Sequence, residues 1–556
     1  MNSNFVRSQL IGDWVSHKLG HKVLAAKSTA EWVEVLGQAE SRLSRGTPRR
    51  CCDDPHMKDD RESPPVQCAA GPVGRDDAEL NELLGGAGPR PSRDDTFSNG
   101  RGHSMKKIRI GSGSGFWGDN LDPAIEIAKH GDVQYLAYDF LGEPTIPSLQ
   151  KMQRKDASRG YVPSIRAVVR GVLPICLEKG IKILTNAGAA NPQACADTIL
   201  TTAKELGITK LKVGIVTTND VQAKVEELLD NGVQFTNLDN GDADLGRVRD
   251  KIVGSYVYSG AYGYVEALEA GCDIIISDRA TDDAAILAPL VHEFGWKWDE
   301  WDNLAIGILA GHLIECGAAC SGGISSLWRE VPEPWNIGYP IAEVNENGEL
   351  FITKVDGTGG VVNQVTLTEH LLYEVHDPGN YLMPEVITDF TNVEMDEVAK
   401  DRVKVWGAKG KPRPDTLKAG IAYMDGFIGE AESSVTWPDA VEKAERSIEI
   451  IKKRLQMVNL DAEEVRFDMI GVNSCHWSAS PAPDPDINEV RIRVAAKCAE
   501  RAEAAKVARE CVMLMGTGPI GSTGQLNTPP PREVFALWPT LIPREEISQT
   551  VETREL

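Results

Sequence analysis

No two of the eleven cysteines in this 556-residue chain form a C-x-x-C pair, which removes the dithiol redox motif and the paired zinc knuckle. In the body of the chain they occur singly beside apolar or small residues, the pattern of reduced core thiols and not of a disulfide framework. A G-x-S-x-G elbow, a Walker loop and an H-E-x-x-H helix are also missing, so serine-hydrolase, ordinary P-loop and zincin readings fail. Positive charge is scarce: 59 Lys and Arg face 82 Asp and Glu, for a formal net charge of -23. A surface of that sign repels phosphate backbones and anionic lipid, so neither nucleic acid nor membrane is an expected partner. No apolar run approaches the roughly 18 residues a membrane span needs, and the start MNSNFVRSQLIGDW lacks a basic-then-apolar signal region. A reducing, cytoplasmic location is the expectation.

Length, by contrast, is ample. Single cores stop growing near roughly 250–300 residues, so at least two domains are expected. Residues 1–104 contain SRGTPRRCCDDPHMKDDRESPPVQ and GGAGPRPSRDDTFSNGRGHS, with too few periodic apolar residues to offset the entropy of ordering. This predicts a largely disordered leader, helical only within 7–42. Its fragments KSTAEWVEVL, DDPHMKD, PVQCAAGPV and DAELNELLGG resemble the C-terminal tail of family III CoA-transferases. That resemblance implies a degraded fusion or a gene-model remnant, with Met105 as the natural start; a genuine unstructured leader is the competing reading.

From Met105 the β-rich runs KKIRIGSG, VQYLAYD, IKILTNAG, LKVGIVTT, IVGSYVY and CDIIISD alternate with helical stretches such as PAIEIAKHG, IRAVVRGVLPICLEKG and AKVEELLDNG. The alternation predicts an α/β domain over 105–331, with a mostly parallel sheet covered by helices on both faces. Beyond Pro332, IAEVNENGELFITK reads as a hairpin turning at Asn347-Gly348. VRFDMIGVN and EVRIRVAAKC read as further strands, followed by the helix CAERAEAAKVARECVMLM. A second, α+β domain is expected over 332–545, with a tail at 546–556.

The stretch GSGSGFWGDNLDP holds a G-x-G-x-x-G at Gly113, Gly115 and Gly118. A dinucleotide fold needs the helix to begin inside the glycines, so that its amides face the pyrophosphate. Here Asp122 is a good N-cap and Pro123 suits the first turn, which delays the helix. Asp139 stands where a ribose-binding acid belongs, so an NAD(P)-dependent dehydrogenase remains the alternative. The preferred reading makes Gly113 and Gly115 a close-approach loop for substrate, with Phe116 and Trp117 as apolar wall or lid.

GSGSGFWGD, YLAYDFLGE, TNAGAANP, DRATDDA, EFGW, GHLIECGA, GYPIAEV, GTGG, LLYEVHDP, GVNS and TLIPRE resemble, in order, the motifs of the acyclic terpene utilisation family, over about 107–545. The resemblance implies catabolism of acyclic terpenoid or other branched acids, in settings that use CoA thioesters. It also leaves room for a small partner subunit, since some relatives carry a further C-terminal domain.

Ligands of open α/β sheets sit beyond the carboxyl ends of the strands. Those ends offer Asp139 and Glu143, Asn186 and Asn191, and the DRATDDA cluster. In that cluster Arg279 could bind a carboxylate or phosphate, while Asp278 or Asp282 could act as base or metal ligand; capping of a helix N-terminus is the competing role. His312 and Glu315, three apart after an apolar helix, would share a face as an acid/base pair or hold a divalent metal, unless His312 is a buried core histidine. Cys316 and Cys320 read as close-packing residues. Gly359 and Gly360 of GTGG could present amides to an anion or form a tight turn, and His376 of YEVHDP is a proton-transfer candidate. The expected function is acid/base chemistry on a branched or terpenoid-derived acid or its CoA thioester: hydration, dehydration or isomerisation. No redox cofactor is required, a homo-oligomer is expected, and a non-catalytic subunit of a catabolic complex is the further alternative.

Overall fold

The computed structural model describes residues 105–143, 145–523 and 527–556. The expected leader, with the helix predicted within it and its transferase-like fragments, falls on residues 1–104, outside them. At the centre are β1 (Lys107–Ser114), β2 (Tyr135–Tyr138), β3 (Lys182–Thr185), β4 (Lys212–Thr218) and β6 (Ile274–Ser277), parallel in the order β1-β2-β3-β6-β4.

The period of two along each strand splits the core into two layers. Tyr135, Ala137 and Ile275 pack on one face with the helices Tyr262–Glu269, Ala284–Phe294 and Trp301–Ile314. Leu136, Tyr138, Ile274 and Ile276 pack on the other with Asp122–His130, Ile165–Gly171, Leu173–Lys179 and Pro192–Glu205. Strands buried on both faces explain the near-continuous apolar runs.

The architecture is α/β, but the sheet is not mostly parallel. On one side β1 meets β7 (Pro340–Asn345) antiparallel, followed by β8 (Leu350–Lys354), β12 (Arg402–Trp406) and β11 (Glu394–Ala399). On the other, β18 (Gln549–Glu555), in the segment expected to be a tail, lies antiparallel to β4. Four parallel pairs therefore stand against five antiparallel ones. The cause is connection length: the short Asn347-Gly348 turn, with Gly348 at φ 82°, can join only antiparallel neighbours, whereas a parallel neighbour needs a crossover helix.

A second correction concerns β5 (Ile252–Val257). It leaves the parallel sheet and pairs antiparallel with the 21-residue β14 (Thr416–Thr436). β14 also pairs with β16 (Glu489–Cys498) and β17 (Arg532–Pro543), and β15 (Glu464–Ile470) completes that sheet. β9 (Tyr381–Leu382), β10 (Ile387–Asp389) and β13 (Lys409–Lys411) form a small third sheet. Among the described residues no helix is long and apolar enough to cross a membrane.

The seam between the parallel and antiparallel parts is fastened by one buried carboxylate. Glu343 on β7 is 3 % exposed; it pairs with Arg109 of β1, Arg402 of β12 and, at 3.2 Å, Lys107. Burial opposes ionisation, but Arg402, Arg109 and Lys107 overcome it and hold the carboxyl down at about 2. A depressed carboxyl contributes stability above its unfolded pKa and loses it as pH falls toward the folded value. Glu343→Gln is therefore expected to lower the thermal midpoint at pH 7, by the equivalent of about 3 kcal/mol. The gap to the parent protein should close as pH falls from about 5 to about 2; a gap that does not change with pH would refute the ion-pair account.

Candidate active site

Four of the central strands deliver polar side chains at their carboxyl ends. Ser114 ends β1 and donates its hydroxyl to the Asp139 carbonyl at 2.8 Å, just past β2. Asn186 follows β3 and clamps Asp139 through its two amide atoms: Nδ2 donates to Asp139 Oδ1 (2.5 Å), and Oδ1 accepts from Phe140 N (2.9 Å). Leu141 N also donates to Asp139 Oδ1, at 2.9 Å. Asp278 and Arg279 follow β6.

Arg279 is the centre of the arrangement. Its side chain is only 2 % exposed, so it is turned inward and not held out as a fork for a ligand. Nη1 donates to Asp282 Oδ1 at 2.7 Å and to the Ala280 carbonyl, and the guanidinium lies 4.4 Å from the centroid of the Tyr258 ring. Lys418, on β14, places its ammonium 4.6 Å from the same centroid and 3.6 Å from Glu143. The Tyr258 hydroxyl donates to Glu143 at 3.3 Å. Two cations against one aromatic ring are tolerable because carboxylates flank both.

Around this pair the carboxyls diverge. Burial and the charge of Asp282 push Asp139 up to about 8, against the opposing pull of Arg279, Leu141 N and Asn186. Both hydrogen-bond donors reach Oδ1, leaving Oδ2 to carry the proton. Glu315 is raised well above the usual carboxylate range by burial and by Asp282 and Asp139. Glu374 is raised by desolvation and by Glu143 and Asp282. For Glu143 the balance goes the other way: burial is overcome by Lys418, a backbone amide and Arg279, and its carboxyl sits below the usual range. Asp282 keeps a side chain 41 % exposed, so it opens the cluster to solvent.

Of the residues expected from sequence, Asp139, Glu143, Asn186, Arg279, Asp282 and Glu315 converge here. Asp278 does not face the same way: its Oδ2 accepts from Thr218 N and Oγ1 at 2.7 and 2.6 Å, tying β6 to β4, and burial lifts it to about 6. Asn191 is a helix cap, accepting from Ala194 N and donating to the Ala157 and Arg159 carbonyls. The amides of Gly359 and Gly360 are spent on the carbonyls of Asn336 and Pro332, so GTGG is a tight turn and not an anion cradle. His376 is exposed; the residues of that motif electrostatically linked to the cluster are Tyr373 and Glu374, the latter held at φ 60°.

The expected His312–Glu315 pair is not made: among the described residues no contact joins His312 to Glu315, although Glu315 keeps helical backbone and donates its amide to the Gly311 carbonyl at 2.9 Å. His312 is buried, with Nε2 at 3.2 Å from the Leu371 carbonyl and its ring stacked on His370 and Phe390; burial lowers it to about 4. Glu315 instead approaches His370, at 3.8 Å. Tyr258, Lys418, His370 and Glu374 escaped sequence reasoning. Only Glu374 carried a local signal, as an acid inside the singled-out YEVHDP.

In the glycine loop, a Cβ on Gly113 would strike the Tyr138 ring, and one on Gly115 the backbone of Cys316. These glycines permit close packing within the protein. Asp119 holds the loop, accepting from Gly115 N at 2.8 Å and from the Tyr339 hydroxyl. Phe116 is 57 % exposed, whereas Trp117 packs against the core beneath. The helix begins at Asp122, with Pro123 in its first turn, four residues past Gly118. Asp122 is its first residue and not its cap, since the capping position is Leu121 without a side-chain bond.

Comparison with curated proteins and with solved structures returns no match. The family model described as acyclic terpene utilisation family protein AtuA matches residues 108–553, a span that includes every strand of the central sheet except the first residue of β1 and the last two of β18, and every group of the carboxyl cluster. The chain belongs to the acyclic terpene utilisation family.

Proposed function

We propose that this chain is an enzyme acting on a branched or terpenoid-derived acid, or its CoA thioester, by proton transfer: hydration, dehydration or double-bond isomerisation. The observation that carries the reading is the contrast between Asp139, a buried carboxyl whose proton is retained to about pH 8, and Asp282, partly exposed and ion-paired to Arg279. Environments that separate two carboxyls in this way assign an acid and a base. In a dehydration, Asp282 takes the proton α to the acyl carbonyl while the Asp139 Oδ2 proton goes to the departing hydroxyl, giving water and an alkene. The reverse is hydration. The same two transfers at different carbons, with no C–O cleavage, move a double bond. Family membership supports the substrate class, and the pairing of Asp139 with Asp282 supports the chemistry. The dehydrogenase reading is weakened, because Gly113 and Gly115 are packed against Tyr138 and Cys316.

The test is turnover of a panel of branched 3-hydroxyacyl and enoyl thioesters, followed by enoyl-thioester absorbance. Asp139→Asn and Asp282→Asn are each expected to lower kcat by about 10²–10⁴-fold, and the parent rate should fall as pH rises through about 8, where Asp139 loses its proton. With a separately expressed partner subunit supplying the rest of the complex, turnover that survives both substitutions together would favour a non-catalytic subunit.

Stability provides an independent check. The folded carboxyl titrates near 8 and the unfolded one near 3.9, so ionisation costs the fold and stability is lost as pH rises between those values. In chelator-treated protein, Asp139→Asn should therefore have a higher melting temperature than the parent above pH 8, and the advantage should disappear toward pH 4.

A further inference from the structure

Glu315 and Cys316 follow the helix Trp301–Ile314, where the chain turns into the short 3₁₀ segment Gly317–Ser321. His370 enters the same space from the last turn of the helix Gln364–Leu371. A carboxylate oxygen, the Cys316 Sγ and a His370 ring nitrogen all lie within 4.8 Å of one another. His370 is 3 % exposed, and its buried Nε2 has no hydrogen-bond partner among the described residues, a costly condition for a polar atom. The same ring hydrogen-bonds the backbone of His312. With the ring proton on Nδ1, the Nε2 lone pair is free to face Glu315, the arrangement that metal-binding histidines use.

The spacing fits an ion better than a hydrogen bond. Glu315 Oε1 and His370 Nε2 are 3.8 Å apart, too far for a direct bond. Two metal bonds of about 2.0–2.1 Å at a tetrahedral angle place their donor atoms about 3.4 Å apart, a few tenths of an ångström from what is present. We propose that Glu315, Cys316 and His370 form a three-ligand site for a divalent ion of the zinc type. Mixed thiolate, imidazole and carboxylate donors suit zinc and not magnesium or calcium, and three protein ligands leave a fourth position open, as in catalytic zinc sites. Cys320, four residues on, stays in the apolar core and is no part of the set. The site adjoins the carboxyl cluster, since Glu315 responds to the charges of both Asp139 and Asp282. The inference does not rest on the proposed reaction, because the site is defined by its ligands alone.

The experiment uses chelator-treated, reduced full-length protein titrated with cobalt(II) chloride and then competed with zinc. Support is one equivalent of cobalt per chain, with a thiolate-to-cobalt charge-transfer band and the strong visible absorption of four-coordinate cobalt, both removed by zinc. Cys316→Ser should abolish the charge-transfer band, and His370→Gln should weaken binding by at least the roughly 10–100-fold that even outer-shell changes cause, both with an unchanged near-ultraviolet circular dichroism spectrum. Absence of the band in the parent protein, or its persistence in Cys316→Ser through the exposed Cys475, overturns the site. Should Cys316→Ser fail to fold, His370→Gln decides by the same readout: undiminished affinity overturns the site. The signal is binding and not turnover, so this test can fail while the acid/base reading stands, and the reverse.

Discussion

One buried cation governs the chemistry of this fold. Removing the Arg279 guanidinium from water is expensive, and the cost is offset only by close partners: the Asp282 carboxylate, the Ala280 carbonyl and the Tyr258 ring. Carboxyls outnumber the cations around it. Asp139, Glu143, Asp282, Glu315 and Glu374 crowd near Arg279 and Lys418. They cannot all be ionised side by side; Glu143, Asp282 and Glu374 reach solvent, so the protons stay where burial is deepest, on Asp139 and Glu315. The division into acids and bases follows from the charge count and the depth of each group.

The same logic separates the two histidines from the carboxyls. His312 and His370 stack with Tyr373, Tyr381 and Phe390, a layer that joins the helix Trp301–Ile314 to the small sheet of β9 and β10. Both rings are uncharged at neutral pH because desolvation outweighs the available acceptors. His312 spends its nitrogens on that layer, whereas His370 keeps one aimed at Glu315.

What was legible in the sequence was local. The apolar runs located the parallel strands, Pro123 placed the helix start correctly to within a residue, and the carboxyl ends of the strands led to Asp139, Asn186, Arg279 and Asp282. What failed depended on contacts distant in sequence. β5 carries the same β-rich signal as its neighbours, yet its partner is β14, more than 150 residues on, and Lys418 reaches Tyr258 from that strand. The His312–Glu315 spacing gave no sign that each side chain has a nearer partner on the helix Gln364–Leu371: the Leu371 carbonyl for His312 and His370 for Glu315. GTGG and Asn191 look like binding groups in sequence because turns and caps use the same residue types as ligand loops.

β1 waits a long time for its second neighbour. Arg109 and Glu343 are 234 residues apart in the chain, and at a synthesis rate of roughly 5–20 residues per second that interval lasts on the order of ten to fifty seconds. Throughout it the strand presents an open edge able to recruit a stray chain. Lys107 and Arg109 alternate along that edge, and like charges in register discourage intermolecular pairing. The basic residues that pair with Glu343 are thus the same ones that place like charge on this edge while it is open.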